Sequence, residues 1–216
     1  MRGLERFAPL TGILFVLLVI AAVIVGGESP SADDSTRKVF DYFDDDRDRV
    51  LISSIILAIG VGAFLWFAGA LRSVLAAAEG PPARLANTAW GGAIVLAVGV
   101  LLLAGFAFVA ADTVGDVPPV VTQTYSVGQA DFYFPVAIGG AVFMLASGLA
   151  IVRSGALAAW VGWAGVVLGI AAITFTPAAF IAIILMLIWI VVLSVILFQA
   201  TARPQAPPPV STPPAV

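Results

Sequence analysis

The side chains that could do chemistry are concentrated in residues 37–50, which read RKVFDYFDDDRDRV. Four carboxylates stand close together there: Asp44, Asp45, Asp46 and Asp48. Because hard divalent cations take carboxylate oxygens as ligands, these four aspartates are a candidate metal site. The cluster is equally consistent with a solvated acidic face. Arg47 and Arg49 neutralise part of its charge, and the glycine-containing spacing of an EF-hand is missing.

Two residue types are absent from the chain, which further limits the reactions and metal sites that it could support. The chain has no histidine, which removes the commonest general base, proton relay and metal ligand. It has no cysteine, which removes thiol nucleophiles and thiolate zinc sites. The sequence also lacks the GxSxG, HExxH, P-loop and dinucleotide-binding patterns. We therefore expect a protein that is not an enzyme and that binds no cofactor.

The composition indicates an integral membrane protein. Of the 216 residues, 61% are hydrophobic and 11% are charged, whereas about 25% are charged in an ordinary soluble domain. The mean hydropathy is +1.10. A soluble core in so short a chain cannot bury that much apolar surface, so the lipid bilayer is the expected environment. No basic patch is present, which argues against a nucleic-acid partner.

Uncharged runs between charged residues define the membrane crossings. Four such runs have about the 20 residues needed to cross a bilayer core. The last run, 154–202, would be about 70 Å long as one helix, so it must cross twice. Its break falls before Pro177, which can stop one helix and open the next. The sequence thus predicts an all-α, polytopic membrane bundle over residues 1–200, with six transmembrane helices at about 8–26, 50–71, 88–110, 133–152, 157–175 and 178–199.

Three of the segments outside these crossings have a distinctive composition. Within residues 37–50, the apolar side chains of Val39, Phe40, Tyr42 and Phe43 share one helical face, which predicts a short outer amphipathic helix before the second span. Residues 112–131 contain a Pro-Pro pair and are expected to form an outer loop. Residues 201–216 contain six prolines, which predicts a disordered cytoplasmic tail.

The charge distribution predicts the orientation. With six crossings both termini lie on one side of the membrane. If that side is the cytoplasm, six arginines and two glutamates lie inside, for a net charge of +4. Four basic and eleven acidic residues then lie outside, for a net charge of −7. Basic residues near span ends favour the cytoplasmic side, so we expect a multi-pass plasma-membrane protein with both termini in the cytoplasm.

Glycines within the spans predict close helix packing. Gly165 and Gly169 have the small-xxx-small spacing that lets membrane helices approach closely, and Gly60 and Gly62 are further packing candidates. Trp189 lies near the middle of the last span, where a glycine notch at Gly165 on the antiparallel neighbour could receive its ring. Three alternatives stay open: a dimer face, an unwound helix at a binding site, and a ligand stacked on Trp189.

Two segments resemble a known group of proteins. FLWFAGALRSVLAAAEGPPARLA (64–86) and SGALAAWVGWAGVVLGI (154–170) resemble uncharacterised multi-pass membrane proteins common in actinobacteria. The chain departs from their pattern at Ala158-Ala159-Trp160, where a proline and a basic residue usually precede the tryptophan. The resemblance implies a bacterial plasma membrane, and it implies no activity or functional residue.

The absence of charge within the spans decides between function classes. Ionisable groups inside a membrane usually mark proton relays, ion paths and substrate sites, and no span contains one. We therefore expect a packed, non-enzymatic helix bundle that acts as a scaffold, sensor or partner subunit, with the outer acidic loop available to a protein partner. The alternative is a small-solute transporter or channel with a wet central cavity. The sequence does not specify an oligomeric state.

Overall fold

A computed structural model describes residues 7–31, 33–131, 133–174 and 177–202, and all regular structure in these ranges is helical. The all-α class is therefore confirmed. After a short 3-10 turn, Ala8–Leu10, the elements in chain order are α1 (Thr11–Gly26), α2 (Thr36–Asp45), α3 (Arg47–Glu79), α4 (Arg84–Thr113), α5 (Pro119–Asp131), α6 (Phe134–Ser154), α7 (Ala159–Ala172) and α8 (Pro177–Ala202).

The chain is a multi-pass membrane protein. Five helical stretches are long and apolar enough to cross a bilayer: Ala8–Gly26, Arg47–Glu79, Arg84–Thr113, Pro119–Ser154 and Ala178–Ala200. The fifth predicted span, 157–175, forms the shorter apolar helix α7 of 14 residues. At 1.5 Å per residue α7 is about 21 Å long, less than a hydrocarbon core of about 30 Å.

Two helices run well beyond their predicted ends. The second span was expected to stop at residue 71, but α3 continues to Glu79. The third was expected to start at residue 88, but α4 begins at Arg84. A helix can continue past the last apolar residue of a span, because alanine and arginine remain good helix formers in the headgroup region.

The membrane helices pack in a series of neighbours in which the last helix contacts the first. α1 packs on α3, α3 on α4, α4 on α6, α6 on α7 and α7 on α8, and α8 in turn contacts α1 and the turn before it. The core of buried apolar side chains therefore has members from every one of these helices.

The expectation of a loop over residues 112–131 is wrong, because thirteen of its residues form α5. Pro119 opens the helix, at the position where its missing N–H costs nothing. The side chains that α5 buries include Thr122 and Ser126, which are 0% and 4% exposed. These are small polar residues rather than apolar ones, so hydrophobic periodicity gives no signal for this helix.

The predicted tail falls mainly outside the described residues. Thr201 and Ala202 belong to α8, so the helix continues past the predicted boundary at residue 200. Residues 203–216 are not among the described residues, and the disorder expected there stays a prediction.

Candidate functional site

The predicted amphipathic helix is present as α2, and it covers the N-terminal end of α3 and the C-terminal end of α4. Its side chains Val39 and Phe43 are 2% and 0% exposed and pack with apolar residues of these two helices. Asp41, Asp44 and Asp45 lie on the exposed side. The helical spacing of apolar and acidic residues thus places the carboxylates in water and the aromatic ring of Phe43 in a core.

α2 and α5 form one continuous structure, here called the outer layer (Thr36–Asp45 and Pro119–Asp131). The Thr36 hydroxyl is hydrogen-bonded to the side-chain oxygen of Gln123, and the amide of Gln123 donates to the Asp34 carbonyl at 3.4 Å. Tyr42 donates its hydroxyl proton to the Gly26 carbonyl at 3.1 Å. The two Gln123 bonds join α5 to α2 and to the residues before it, and the Tyr42 bond attaches the layer to the C-terminal end of α1.

Arg47 and Arg49 have a role that their position in an acidic run did not reveal. Arg49 Nε donates to the Val25 carbonyl at 3.2 Å, and Arg47 Nη2 donates to the Asp112 carbonyl at 2.9 Å. Both carbonyls lie at the C-terminal ends of membrane helices, where backbone acceptors lack partners and the helix dipole favours a cation. The two arginines therefore stabilise helix ends as well as neutralising aspartates.

Each of the four basic residues at this end of the described bundle is paired with one acid. Arg49 lies 2.7 Å from Asp46 and Lys38 lies 2.9 Å from Asp34, while two longer pairs join Arg37 to Asp41 and Arg47 to Asp112. Asp44, Asp45 and Asp48 have no cation within salt-bridge distance among the described residues and are exposed. The outer layer and the first turn of α3 thus carry an unbalanced negative charge on one surface.

The four aspartates predicted as metal ligands do not converge. Within the described part of the chain, no three acidic side chains are grouped so that they could hold a metal ion. Asp46 turns toward Arg49, whereas Asp44, Asp45 and Asp48 are exposed to solvent. Consecutive positions on a helix point about 100° apart, which keeps neighbouring carboxylates from sharing one cation. The geometry gives the metal hypothesis no support.

Asp34 is the acid whose ionisation the outer layer changes most clearly. The Lys38 side chain and the backbone N–H of Ser31 donate hydrogen bonds to its carboxylate, each at 2.9 Å. These bonds favour the charged form and hold the pKa of Asp34 below its ordinary value. Asp34 therefore stays ionised to lower pH than an ordinary aspartate does.

The interior of the bundle contains a row of four aromatic rings from four helices. Phe15 of α1, Phe64 of α3, Phe143 of α6 and Trp189 of α8 follow one another with centroid distances of 5.0, 5.4 and 5.8 Å. None of the four is more than 4% exposed. Rings in tilted and edge-on contact at these distances attract one another beyond simple burial. The row, called here the aromatic row, fills the space between these helices.

Trp189 lies in the predicted glycine notch. A Cβ atom added to Gly165 would lie 2.7 Å from Trp189 Cζ2, so only glycine leaves room for this ring. The indole N–H donates to the Val161 carbonyl of α7 at 2.9 Å, which satisfies the one polar atom of the side chain. Trp189 therefore packs within the chain, and no ligand is needed to explain its burial.

The other predicted packing glycines divide into two groups. A Cβ atom on Gly169 would lie 2.6 Å from Leu145 Cγ, and one on Gly60 would lie 3.3 Å from Leu18 Cβ. Both glycines thus mark real helix contacts. Gly62 is exposed, and a Cβ atom there would meet no atom within 4 Å. The structure contradicts its predicted role in packing within the chain.

The tightest helix contacts involve glycines that the sequence did not distinguish from others. A Cβ atom on Gly139 of α6 would collide with the backbone of Leu96 in α4, and one on Gly99 would lie 2.7 Å from the Val136 nitrogen. On the other side of α6, a Cβ atom on Gly148 would lie 2.8 Å from the Val166 nitrogen of α7. α6 is therefore held between α4 and α7 by contacts with their backbones. Spacing alone could not identify these positions, because their partners lie on other helices.

Three surface grooves of the described residues lie between neighbouring membrane helices. They have volumes of about 170, 300 and 480 Å³ and lie between α3 and α4, α4 and α6, and α7 and α8. Their linings are almost wholly apolar, as expected of surfaces that face lipid.

No protein-family model, curated protein or solved structure matches the chain. The resemblance to actinobacterial membrane proteins therefore stays a prediction.

Proposed function

We propose that this protein is a non-enzymatic scaffold or partner subunit of the bacterial plasma membrane. Its packed bundle anchors the outer layer, and the outer layer presents fixed carboxylates to a protein partner with a basic surface. The partner would meet Asp44 and Asp45 of this layer and Asp48 at the start of α3, none of which has a cation within salt-bridge distance among the described residues. Complementary charge of this kind directs association and selects the partner.

The aromatic row is the observation that carries this proposal. A transporter or channel needs a wet path between its helices, lined by groups that replace the water of a solute. Here Phe15, Phe64, Phe143 and Trp189 occupy the interior in direct contact. An interior in which four rings are in contact suits a protein that holds its shape rather than one that opens.

The orientation is supported by where the charges lie. The outer layer holds the acidic excess, whereas Arg72, Arg84 and Arg153 lie at the opposite ends of α3, α4 and α6. Basic residues at span ends favour the cytoplasm, so the outer layer faces outward and both termini lie in the cytoplasm.

Site-specific photo-cross-linking tests the partner surface. A photoreactive amino acid replaces Asp45 in one variant and Val120 in the other, and both are expressed in native membranes. Val120 is the matched control, because it lies in the same outer layer and is 62% exposed. We expect a protein adduct at position 45 that is absent at 120 and that weakens with added salt and with Asp44→Asn and Asp48→Asn. Absence of an adduct, or the same adduct at both positions and in the Asn variants, would contradict the proposal.

A further inference from the structure

The surface groove of about 300 Å³ between α4 and α6 leads toward two arginines. Thr88, Gly91 and Val95 of α4 line one side of it, and Ile138 and Val142 of α6 line the other. We call it the α4–α6 groove. Gly91 leaves it wide, because a Cβ atom added at this position would meet no atom within 4 Å.

Arg84 lies on the α4 face that lines this groove. It precedes Thr88, Gly91 and Val95 by four, seven and eleven residues, which are the spacings of one helical face. Its side chain is exposed and has no acid within salt-bridge distance among the described residues. From Arg84 to Val95 the face is about 16 Å long, close to half of a hydrocarbon core of about 30 Å. The groove thus covers the depth of one leaflet and has a cation at its end.

Arg153 brings a second cation to the same end of the groove. It follows Val142 by eleven residues, about three turns, so the two share one face of α6. It is exposed and has no acid within salt-bridge distance in the described ranges. Its charge does interact with Glu79, whose carboxylate accepts from the backbone N–H groups of Leu85 and Ala86 at the start of α4. Both arginines therefore lie at the N-terminal end of α4.

The charges at this end favour a lipid over a second copy of the chain as the occupant. Glu79 is the one acid that the structure describes here, and both of its oxygens already accept backbone hydrogen bonds at 3.0 Å. A second copy in the same orientation would therefore offer the arginines no free carboxylate. The other two grooves lack this arrangement, because α7 and α8 contain no charged residue and Arg47 and Arg49 near the α3–α4 groove are paired with acids.

We propose that the α4–α6 groove binds one anionic phospholipid, with its phosphate on Arg84 and Arg153 and an acyl chain along Gly91 and Val95. A single molecule with a charged head and an apolar chain is complementary to both parts of the site. The guanidinium group suits a phosphate, because its N–H donors match the spacing of two oxygens. Basic pockets between membrane helices bind anionic headgroups in this way. The site lies at the end of the bundle opposite the outer layer, so it is independent of the partner surface proposed above.

Native mass spectrometry of the full-length protein tests the headgroup contact, using phosphatidylglycerol and phosphatidylcholine with the same acyl chains. We expect tighter binding of phosphatidylglycerol. Arg84→Gln and Arg153→Gln should each weaken it about fivefold, and the double variant about thirtyfold. Arg72→Gln is the matched control: it removes the same charge at the same end, but Arg72 belongs to α3 and donates to Asn87 Oδ1 at 2.8 Å. Equal affinity for the two lipids, or an equal loss in Arg72→Gln, would overturn the proposal.

The acyl-chain contact is tested by filling the groove. Gly91→Leu should remove most of the phosphatidylglycerol binding, whereas Gly105→Leu makes the same change in another groove of α4 and should leave it unchanged. Both leucines enter open space, so neither should lower the thermal unfolding midpoint. Full binding by Gly91→Leu would reveal a phosphate site without a chain and contradict the proposal. A dimer in the wild-type spectra that Gly91→Leu converts to a monomer would assign the groove to a second copy instead.

Discussion

At the scale of single residues, the clearest agreement between sequence and structure concerns Trp189. Its place in the middle of a glycine-rich bundle predicted a notch at Gly165, and the ring lies there. This prediction was possible because an isolated large ring in a span needs a small neighbour, and the antiparallel hairpin brings only a few glycines to that depth. Gly62 has no such neighbour within the chain, and sequence could not show this, since a glycine without a partner in the chain has the same appearance in sequence.

Trp189→Ala should destabilise the bundle strongly. It removes a side chain that is 4% exposed and leaves a cavity at the end of the aromatic row, for a loss of about 3–5 kcal/mol. Trp189→Phe keeps a ring but loses the hydrogen bond to the Val161 carbonyl, for about 1 kcal/mol. Unfolding in mixed micelles with increasing SDS measures both. Trp66→Ala is the control because Trp66 is 71% exposed, and an equal loss there would contradict this assignment.

Gly139→Ala tests the contact between α4 and α6. The new methyl group would collide with the backbone of Leu96, which cannot move without shifting a helix. Overpacking of this kind costs about 1–3 kcal/mol. Gly91→Ala makes the same chemical change where no atom lies within 4 Å, so its stability should hold or rise. Thermal unfolding in detergent separates the two, and equal midpoints would show that α4 and α6 are not in close contact.

At the scale of elements, the outer layer shows what periodicity can and cannot reveal. α2 was predicted because Val39, Phe40, Tyr42 and Phe43 repeat at helical intervals beside acids. α5 was missed because the face it buries includes the polar side chains of Thr122 and Ser126. The shortness of α7 was also missed, since the apolar run from 154 to 202 has no charge to mark where a helix stops. A helix end of this kind is set by turn geometry and not by hydropathy.

Phe43→Ala should loosen the outer layer while leaving the membrane bundle intact. Phe43 is fully buried, and truncating such a ring costs about 3–5 kcal/mol of local stability. Hydrogen exchange read by mass spectrometry should therefore rise in α2 and α5 and stay unchanged in α6. Arg37→Ala is the control, since the Arg37 side chain is 91% exposed. Faster exchange throughout α6 would mean that the outer layer and the bundle are one cooperative unit.

At the scale of the whole molecule, composition alone predicted the class. A chain with 61% hydrophobic residues and 11% charged residues has to be a membrane bundle, and its charges fall at the two ends of that bundle. What could not be predicted is how the interior is filled. The four rings of the aromatic row come from positions 15, 64, 143 and 189, and no local pattern connects residues so far apart. Only the arrangement of the helices brings them into contact.

The contacts within the aromatic row also bear on the proposed function. Water cannot pass where side chains are in van der Waals contact. A charged group within the spans could provide a path for an ion without water, but the central apolar stretches of the described spans contain none. The function proposed here therefore depends on the interior remaining dry in the membrane.

The accessibility of the interior to water is the most direct test of that claim. Single cysteines replace Ala97, Ala150 and Ala182, which are buried in α4, α6 and α8, and a fourth replaces the exposed Ser31 as the positive control. Each variant is treated in intact membranes with a small, water-soluble thiol reagent, after its unfolding midpoint has been shown to match the wild type. A packed bundle predicts labelling at position 31 and none at positions 97, 150 and 182. Labelling of two or more buried positions in folded protein would reveal a water path, contradict the packed bundle and favour a transporter or channel.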